Sequence, residues 1–236
     1  MQKLIEFTTQ DKLALEMFPP VPASAVIPDW YRTLPLTVSE CTYKDRVQSG
    51  HRTHGTQFSV KGCIPILDYL TSGYVLRLHT DVGFTVEEVN GEEVLWWYTG
   101  NGPECVSMHH HVQLPVQIGD VRKSYVKLSL PWSIKVPSGY SCLFYQPEFL
   151  FNEHLRLLPA IVDCDTYTQQ INFPGYFLKQ GSFKLEAGTP LVVVMPYKRD
   201  AWASNVKFAQ EANSNPITRY FDRGYKKLFH SKKSFK

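Results

Sequence analysis

Alternation of apolar and polar positions is clearest in residues 84–98, which read FTVEEVNGEEVLWWY. Asn90 and Gly91 interrupt this pattern, and an Asn-Gly pair suits a type I′ turn because both of its central residues need a positive φ. The residues on either side are mostly β-branched or aromatic, which favours strands. The pattern therefore predicts a β-hairpin centred on Asn90 and Gly91.

Short strand-like segments also fill residues 121–200, where turn residues recur about every ten positions. Helical signals are few. Residues 28–33 and 65–70 each start with a proline, which favours the first position of a helix, and Gly73 would end the second one. We therefore expect a mainly-β fold, either a β-clip or a jelly-roll-like sandwich, with an extended N-terminal arm and short C-terminal helices.

The two ends of the chain differ in character from its middle. Five prolines in residues 18–35 preclude long regular elements. We expect residues 1–60 to form an extended arm rich in proline and aromatic residues, and residues 61–200 to form the β-rich core domain. Residues 201–236 are predicted to be a helical basic tail, because their apolar residues recur at helical spacing beside seven basic residues and one acid from Arg219 onward.

Composition argues against a disordered, zinc-binding or membrane protein. The 236 residues are 43% hydrophobic and 14% aromatic, which is enough to bury a sizeable core and excludes global disorder. The net charge of +3 does not by itself indicate a nucleic-acid partner. The five cysteines include no CxxC pair, so buried reduced thiols are favoured over a zinc knuckle. We see neither a signal peptide nor an apolar run that could span a bilayer, so no membrane partner is expected.

The stretch AIVDCDTYTQQINFP, residues 160–174, raises the question of catalysis. Asp163 and Asp165 lie two positions apart just before Tyr167, so they could form a catalytic carboxylate loop or a turn whose side chains cap backbone N–H groups. A general base would also need a positioned water, a metal and a bound phosphate. We favour the structural alternative, with Asp163 and Tyr167 as the catalytic residues if the protein is an enzyme.

Three consecutive histidines raise a second question, that of a metal site. His109 and His111 have the spacing of a cupin-type iron site, which adds a carboxylate a few residues on and a distant histidine. No carboxylate follows until Asp120, and no histidine lies soon after Gly139. We therefore expect no metal and no cofactor, and regard His109 and His111 as the ligands if a metal is bound.

Several blocks of sequence resemble one uncharacterised protein family. The blocks are IPDWYRTLP, KGCIPILDYLTSGYVL, PWSIKVPSGYSCLFYQP and VDCDTYTQQINFPGYFL, which together cover much of the chain. That family occurs in tailed phages of cyanobacteria and other marine bacteria and in some bacterial genomes. The resemblance implies a phage protein and carries no established activity.

A weaker resemblance covers residues 130–198 and concerns the trimeric dUTPase-like β-fold, also called a β-clip. The matching features are the turn at residues 137–139, an aspartate and tyrosine at a hairpin start, and the turn at residues 187–191. The resemblance implies that Asp163 occupies the position of the water-activating carboxylate and that Tyr167 lies near the base-recognition hairpin. The chain departs from that family at QPEFLF, which lacks the basic residue and glycine of a phosphate-binding loop.

Because no catalytic set is complete, we expect a non-enzymatic structural protein of a phage virion, such as a capsid decoration, neck or tail component. It would be synthesised in the host cytoplasm and would act by self-association and by docking on other virion proteins. A dUTPase-like nucleotide hydrolase is the alternative, and a cupin-like metal-dependent oxygenase is the second. Binding of nucleic acid through the basic tail is less favoured than docking. The predicted partner-binding residues are Trp30, Tyr31, Tyr220, Phe221, Tyr225, Leu228 and Phe229.

Overall fold

The computed structural model describes residues 3–38, 57–100, 102, 104–109, 111–113, 117–118, 121–122, 124–150, 152–208, 225–226 and 230–235. The strands are β1 (Glu6–Thr8), β2 (Val21–Pro22), β3 (Thr37–Val38), β4 (Gln57–Phe58), β5 (Tyr74–Arg77), β6 (Val82–Val89), β7 (Glu92–Thr99), β8 (Val106–His109), β9 (Gln117–Ile118), β10 (Val121–Arg122), β11 (Tyr125–Lys135), β12 (Tyr140–Tyr145), β13 (Leu155–Leu157), β14 (Ala160–Val162), β15 (Gln170–Phe177), β16 (Gly181–Leu185) and β17 (Pro190–Lys198). The α-helices are α1 (Lys12–Met17), α2 (Asp29–Thr33) and α3 (Ile64–Thr71). Short 3₁₀ helices cover Ala23–Val26, Val60–Gly62, His111–Gln113 and Glu148–Leu150.

Three sheets carry most of the structure. One has the order β1-β11-β15-β13 with β8 also paired to β11, the second is β16-β6-β7-β10-β9, and the third is β14-β12-β17-β5-β2. A separate hairpin joins β3 to β4. These pairs are antiparallel apart from the one between β7 and β10. The predicted mainly-β fold with few helices is therefore confirmed.

The predicted hairpin is confirmed at its turn and in its register. Asn90 and Gly91 have φ values of 54° and 79°, as a type I′ turn requires. On either side of them β6 pairs with β7, from Val89 opposite Glu92 to Val82 opposite Thr99. Local sequence was sufficient here because the turn chemistry and the strand pattern specify the same structure.

The chain packs as two compact units, which comprise residues 1–26 with 73–200, and residues 27–72 with 201–236. Compact units show where the chain is densely packed and do not test which segments fold independently. The predicted division into 1–60, 61–200 and 201–236 therefore stays a prediction.

The first unit is built around a large apolar core. Along β11 the buried side chains of Leu128, Leu130 and Ile134 alternate with the less buried Ser129 and Ser133, as expected for a strand with one face on the core. In β17 four consecutive residues, 191–194, are buried, so both faces of that strand are covered. Full burial of each such side chain contributes about 1.5–3 kcal/mol, so this core dominates the stability of the unit.

The described start of the chain differs from the predicted extended arm. β1 pairs with β11 from Glu6 opposite Lys135 to Thr8 opposite Ser133, and Phe7 packs against the core. Helix α1 begins after Asp11, whose side chain accepts a hydrogen bond from the backbone N–H of Ala14 at 3.0 Å. Ala14 is fully buried. The physical reason is that apolar side chains of these residues pack on the core. The prediction of an extended arm rested on the prolines of residues 18–35, which follow this segment.

The second unit contains the two other helices, and both were predicted. Helix α2 follows Pro28, and α3 has Pro65 within its first turn. Residues 201–208 contain no helix, in contrast to the predicted helical tail, and of the rest only residues 225–226 are described as helical. Among the described residues no helix is both long and apolar enough to cross a membrane.

Candidate functional site

The Asp163–Asp165 stretch forms a turn at the end of β14. The backbone N–H groups of Thr166 and Tyr167 both donate to the carbonyl oxygen of Asp163, at 3.0 and 2.8 Å. This closes the chain on itself between β14 and the start of β15. The local geometry matches the structural alternative, a turn that follows an aspartate.

Asp163 is the exposed carboxylate of this turn. Its Oδ1 accepts a hydrogen bond from Ser141 Oγ at 2.6 Å and lies 3.0 Å from Arg199 Nη1. The hydrogen bond from Ser141 and then the Arg199 guanidinium hold the pKa of Asp163 below its usual value. Because its pKa is lowered, Asp163 is ionised at neutral pH. Its side chain is 59% exposed, so it is accessible to solvent.

Asp165 is the shielded carboxylate, with a side chain that is only 5% exposed. Arg199 donates to both of its oxygens, and the Nη1–Oδ1 distance is 2.9 Å. The backbone N–H of Gly139 also donates to Oδ2, at 2.9 Å. Arg199 first and Gly139 second lower the pKa of Asp165, because both interactions favour its charged form.

Arg199 ties the turn to two further segments of the same unit. Its backbone N–H donates to the carbonyl oxygen of Gly139 at 2.9 Å, and Nη1 lies 3.3 Å from the carbonyl oxygen of Tyr140. Gly139 has a φ of 82°, which allows the turn before β12 to present its N–H to Asp165. We call Asp163, Asp165, Arg199, Ser141 and Gly139 the aspartate brace, because they join the ends of β12, β14 and β17.

The brace is better suited to holding strands together than to catalysis. Its two carboxylates share one guanidinium, so it offers no net positive charge to a phosphate group. Asp165 is shielded, and Asp163 already accepts from a hydroxyl and an arginine. Over the described ranges no group of three or more His, Cys, Asp or Glu side chains is placed to hold a metal ion.

Tyr167, the other residue named for catalysis, lies at the end of the turn that begins at Asp163. Its hydroxyl donates to the carbonyl oxygen of Gln170 at 3.4 Å, and the residue is 46% exposed. This bond fixes the ring against the first residue of β15.

The predicted metal ligands are only partly described. The backbone of His109 ends β8, opposite Tyr125 of β11, and His111 begins a 3₁₀ helix, but both side chains lie outside the described residues. The cupin-like site therefore stays a prediction. His79 and Asp81 are also residues of ligand type, but they have other surroundings: His79 is buried, while Asp81 pairs with Lys184 and accepts a hydrogen bond from the backbone N–H of Ala187.

The predicted partner-binding residues fall in the second unit. Trp30 and Tyr31 form an edge-to-face pair in α2, with ring centroids 5.6 Å apart. Tyr31 is only 3% exposed and serves the interior of its own unit, whereas Trp30 is half-buried. Tyr225 is 46% exposed. Tyr220, Phe221, Leu228 and Phe229 lie outside the described residues.

The end of the tail is attached within its own unit. His230 Nε2 lies 3.0 Å from Asp68 Oδ1, and Lys233 Nζ lies 2.5 Å from Asp68 Oδ2 on helix α3. The hydrogen bond from Lys233 is the main cause that lowers the pKa of Asp68. One of the seven basic side chains counted from the sequence, Lys233, therefore has an intramolecular partner, as does His230.

Sequence reasoning missed two exposed apolar features. Residues 201–208 are exposed throughout and carry Trp202, Val206 and Phe208, which we call the arm residues. In β7, Trp96 and Tyr98 are exposed, whereas Leu95 is buried and Trp97 packs against the core. The available signal was an even number of positions between the exposed apolar residues of each segment, which places them on one face of an extended chain.

Comparisons with known proteins add a distant likeness of fold. No family model matches the chain, and no curated protein matches it. Among solved structures, a variant of the dUTPase of Staphylococcus bacteriophage 80alpha is 12% identical over 89% of this chain and 99% of its own, with a TM-score of 0.38. Another variant of that dUTPase, with dUpNHpp, is 12% identical over 89% of this chain and 90% of its own, with a TM-score of 0.37. A variant of the dUTPase of phage phi11 of S. aureus is 11% identical over 60% of this chain and 84% of its own, with a TM-score of 0.33.

The identities and TM-scores are low, so this likeness carries no conclusion about activity, substrate or partners. The resemblance of residues 130–198 to the dUTPase-like fold reappears among the solved structures. The resemblance of the sequence blocks to an uncharacterised phage family stays a prediction.

Proposed function

We propose that this chain is a non-enzymatic structural protein that assembles by docking residues 201–208 of one copy onto a neighbouring copy. The observation that carries the proposal is the exposure of the arm residues: Trp202 is 90%, Val206 94% and Phe208 92% exposed. Large apolar side chains exposed close to one another in the chain are a feature of interaction sites. A phage particle is the setting that we propose, on the strength of the sequence blocks.

The arm residues would share one side of the segment if it is extended. In an extended chain successive side chains point to opposite faces, so positions 202, 206 and 208 lie on one face and positions 201, 203, 205 and 207 on the other. The second face carries Ala201, Ala203, Asn205 and Lys207. Such a segment suits docking with its apolar face down, and burial of each apolar side chain would contribute about 1.5–3 kcal/mol.

A matching surface lies on the outer face of the β6–β7 hairpin. Trp96 is 51% and Tyr98 62% exposed, and Val94 lies on the same face of β7; we call these three residues the β7 strip. In the strip, as in residues 201–208, the apolar residues are separated by even numbers of positions. Glu87 opposite Val94 and Glu92 next to it are exposed carboxylates on this face.

Charge complementarity selects a second copy of the chain as the occupant of the strip. The strip is bordered by glutamates. Residues 201–208 include Lys207 and precede a tail that has seven basic residues and one acid from Arg219 onward. Opposite charges at the border of an apolar contact guide association and set its orientation. One arm buries little surface, so we expect assembly to depend on several arms acting together in a closed ring.

Size-exclusion chromatography with light scattering tests this proposal. The triple variant Trp202→Ser, Val206→Ser, Phe208→Ser should run as a monomer with an unchanged circular dichroism spectrum, while the wild type forms an oligomer. The matched control Ala201→Ser, Ala203→Ser, Asn205→Ser changes the opposite face and should assemble as the wild type does. A wild-type monomer at micromolar concentration, or an oligomer that survives the triple variant, would overturn the proposal.

The setting in a particle has its own test. Mass spectrometry of gradient-purified particles should find this chain in a fixed ratio to the major capsid protein. Abundance in the infected-cell lysate together with absence from particles would contradict a virion role, and would leave the self-association result unaffected.

A nucleotide hydrolase is the second candidate, and the exposed, ionised carboxylate of Asp163 beside Ser141 is the observation that favours it. The sequence of residues 130–198 resembles the dUTPase-like fold, so dUTP with Mg²⁺ is the substrate to test. A hydrolase would release pyrophosphate, and Asp163→Asn would abolish that release while Asp200→Asn would not. We expect no release above the background of the Asp163→Asn variant.

A further inference from the structure

A groove of about 550 Å³ opens on the outer face of the β1-β11-β15 sheet. Pro131 and Ser133 of β11 lie at its base, Thr9 and Gln10 border it after β1, and Gln170 borders it at the start of β15. All of these residues belong to the first compact unit. The aspartate brace contributes no side chain to the groove.

The groove exists because the central strand is irregular. The register between β11 and β15 shifts between Ser129 and Ser133, so the regular ladder is interrupted at residues 130–132. Such bulges bend a strand and change the direction of nearby side chains, and they are frequent beside binding sites. Here the irregularity places the buried Pro131 below a rim of polar side chains.

The chemistry of the lining is uniform. Every described residue that lines the groove is uncharged, and apart from Pro131 each offers an amide or a hydroxyl group. Asn172 accepts a hydrogen bond from Ser129 Oγ at 2.6 Å, which leaves its Nδ2 group as a donor. The side chains of Gln169 and Gln170 form no hydrogen bond within the described part of the chain.

Amides are suited to neutral ligands that carry many hydroxyl groups. A side-chain amide presents a donor and an acceptor side by side, so it can bind two neighbouring hydroxyls at once. A phosphate or carboxylate ligand would need cationic partners, and the described lining has none. Pro131 is the one apolar residue of the described lining and is buried, so the groove presents mainly polar side chains to a ligand.

We propose that this groove binds a neutral carbohydrate of one to a few sugar units. Gln169, Gln170 and Asn172 bind its hydroxyls from one side, and Gln10 binds them from the other. The hydroxyl of Tyr167 donates to the backbone carbonyl oxygen of Gln170, so this 46% exposed residue is a neighbour of the lining and not part of it. The proposal is independent of self-association, since it uses neither the arm residues nor the β7 strip.

An array of immobilised glycans, with neutral and acidic members, tests the inference with the full-length protein. We expect binding to a subset of neutral glycans and none to sulfated or sialylated ones. The double variant Gln170→Ala, Asn172→Ala should lose at least tenfold in affinity for the strongest neutral glycan, measured by titration calorimetry with the free oligosaccharide. Gln169→Glu should weaken binding as well, because it places an unpaired charge at the rim.

The matched control is Gln180→Ala, which removes an exposed amide before β16, away from the groove. It should bind as the wild type does. Absence of binding to every neutral glycan, binding that favours acidic glycans, or binding that the double variant retains would each overturn the proposal. Because Gln169, Gln170, Asn172 and Gln180 are all exposed, their variants should keep the wild-type melting temperature, which separates loss of binding from loss of fold.

Discussion

Arg199 and Asp165 form a two-point ion pair that joins the end of β17 to the turn after β14, and the carboxylate is almost completely shielded from solvent. Asp165 belongs to the turn that, from the sequence alone, could have been a catalytic carboxylate loop. Asp163 shares the same arginine. The arrangement explains why two aspartates so close together are tolerated: one guanidinium contacts both carboxylates, and the less shielded of the two, Asp163, is exposed to solvent.

Removal of Arg199 should destabilise the first unit. Arg199→Met leaves Asp165 shielded and without its cation, so we expect the melting temperature to fall by more than about 4 °C. The neighbouring pair Lys198–Asp200 is exposed, with both side chains more than two-fifths accessible, so Lys198→Met is the matched control and should change little. Differential scanning calorimetry measures both. Equal melting temperatures for the two variants would contradict the role given to the brace.

The buried His79 should make stability depend on pH. Burial lowers its pKa below the usual value of about 6.5, against a smaller opposite effect of Asp11, so His79 stays neutral in the folded state while the unfolded chain takes up a proton. Stability is therefore undiminished above about pH 6.5 and is lost as the pH falls from there through the lowered folded pKa. The slope reaches about 1.4 kcal/mol per pH unit.

Urea unfolding at about pH 5 and about pH 7.5 measures this effect. The loss of stability between the two pH values should be smaller in His79→Leu than in the wild type. His154→Gln is the control, since His154 stacks on Phe183 at 4.3 Å and is only half-buried. The same pH dependence in wild type and His79→Leu would show that His79 is not the cause.

Two glycines with positive φ should respond differently to alanine. At Gly73, with a φ of 85°, a Cβ would lie 2.5 Å from the carbonyl oxygen of Val194, whereas at Gly91, with a φ of 79°, it would meet nothing within 4 Å. Gly91→Ala should lower the free energy of unfolding by about 1 kcal/mol through backbone strain alone. Gly73→Ala should lower it by about 3 kcal/mol or more, because the new Cβ must also push away the strand that carries Val194. Chemical denaturation gives both values. Similar costs at the two positions would refute the steric account of Gly73.

The β7 strip should matter for assembly and little for folding. Trp96→Ser should lower the association constant of the oligomer at least tenfold in sedimentation equilibrium, since Trp96 is an exposed aromatic residue at the centre of the strip. Ile161→Ser is the matched control, because Ile161 is 62% exposed on β14, in another sheet. If Ile161→Ser weakens assembly and Trp96→Ser does not, the docking surface lies on β14 instead.

The brace shows where sequence reasoning stops. That the aspartates begin a turn could be predicted from residues 160–174, because an aspartate before a turn offers local hydrogen bonds. Their partners could not be predicted, since Gly139, Ser141 and Arg199 lie more than twenty positions away in the chain. Contacts between distant segments depend on sheet order, and no local pattern encodes that order.

The exposed segment after β17 was misjudged for a related reason. Residues 205–214 have a composition that suits a helix, and the predicted docking residues were placed further along, at 220–229. Helix formation in short segments depends on packing of an apolar face, and residues 201–208 pack against nothing in the described structure. Propensity alone therefore did not determine their conformation.

By itself the sequence determined the mainly-β class, the hairpin at Asn90 and Gly91, and the two short helices that follow prolines, because each depends on residues within a few positions of one another. Only the tertiary structure decided that Arg199 pairs with both aspartates, that β1 and α1 belong to the core, and that a bulge in β11 opens a polar groove. These features need segments far apart in the chain to meet. Their free energy comes from burial and pairing, which exist only once the sheets have formed.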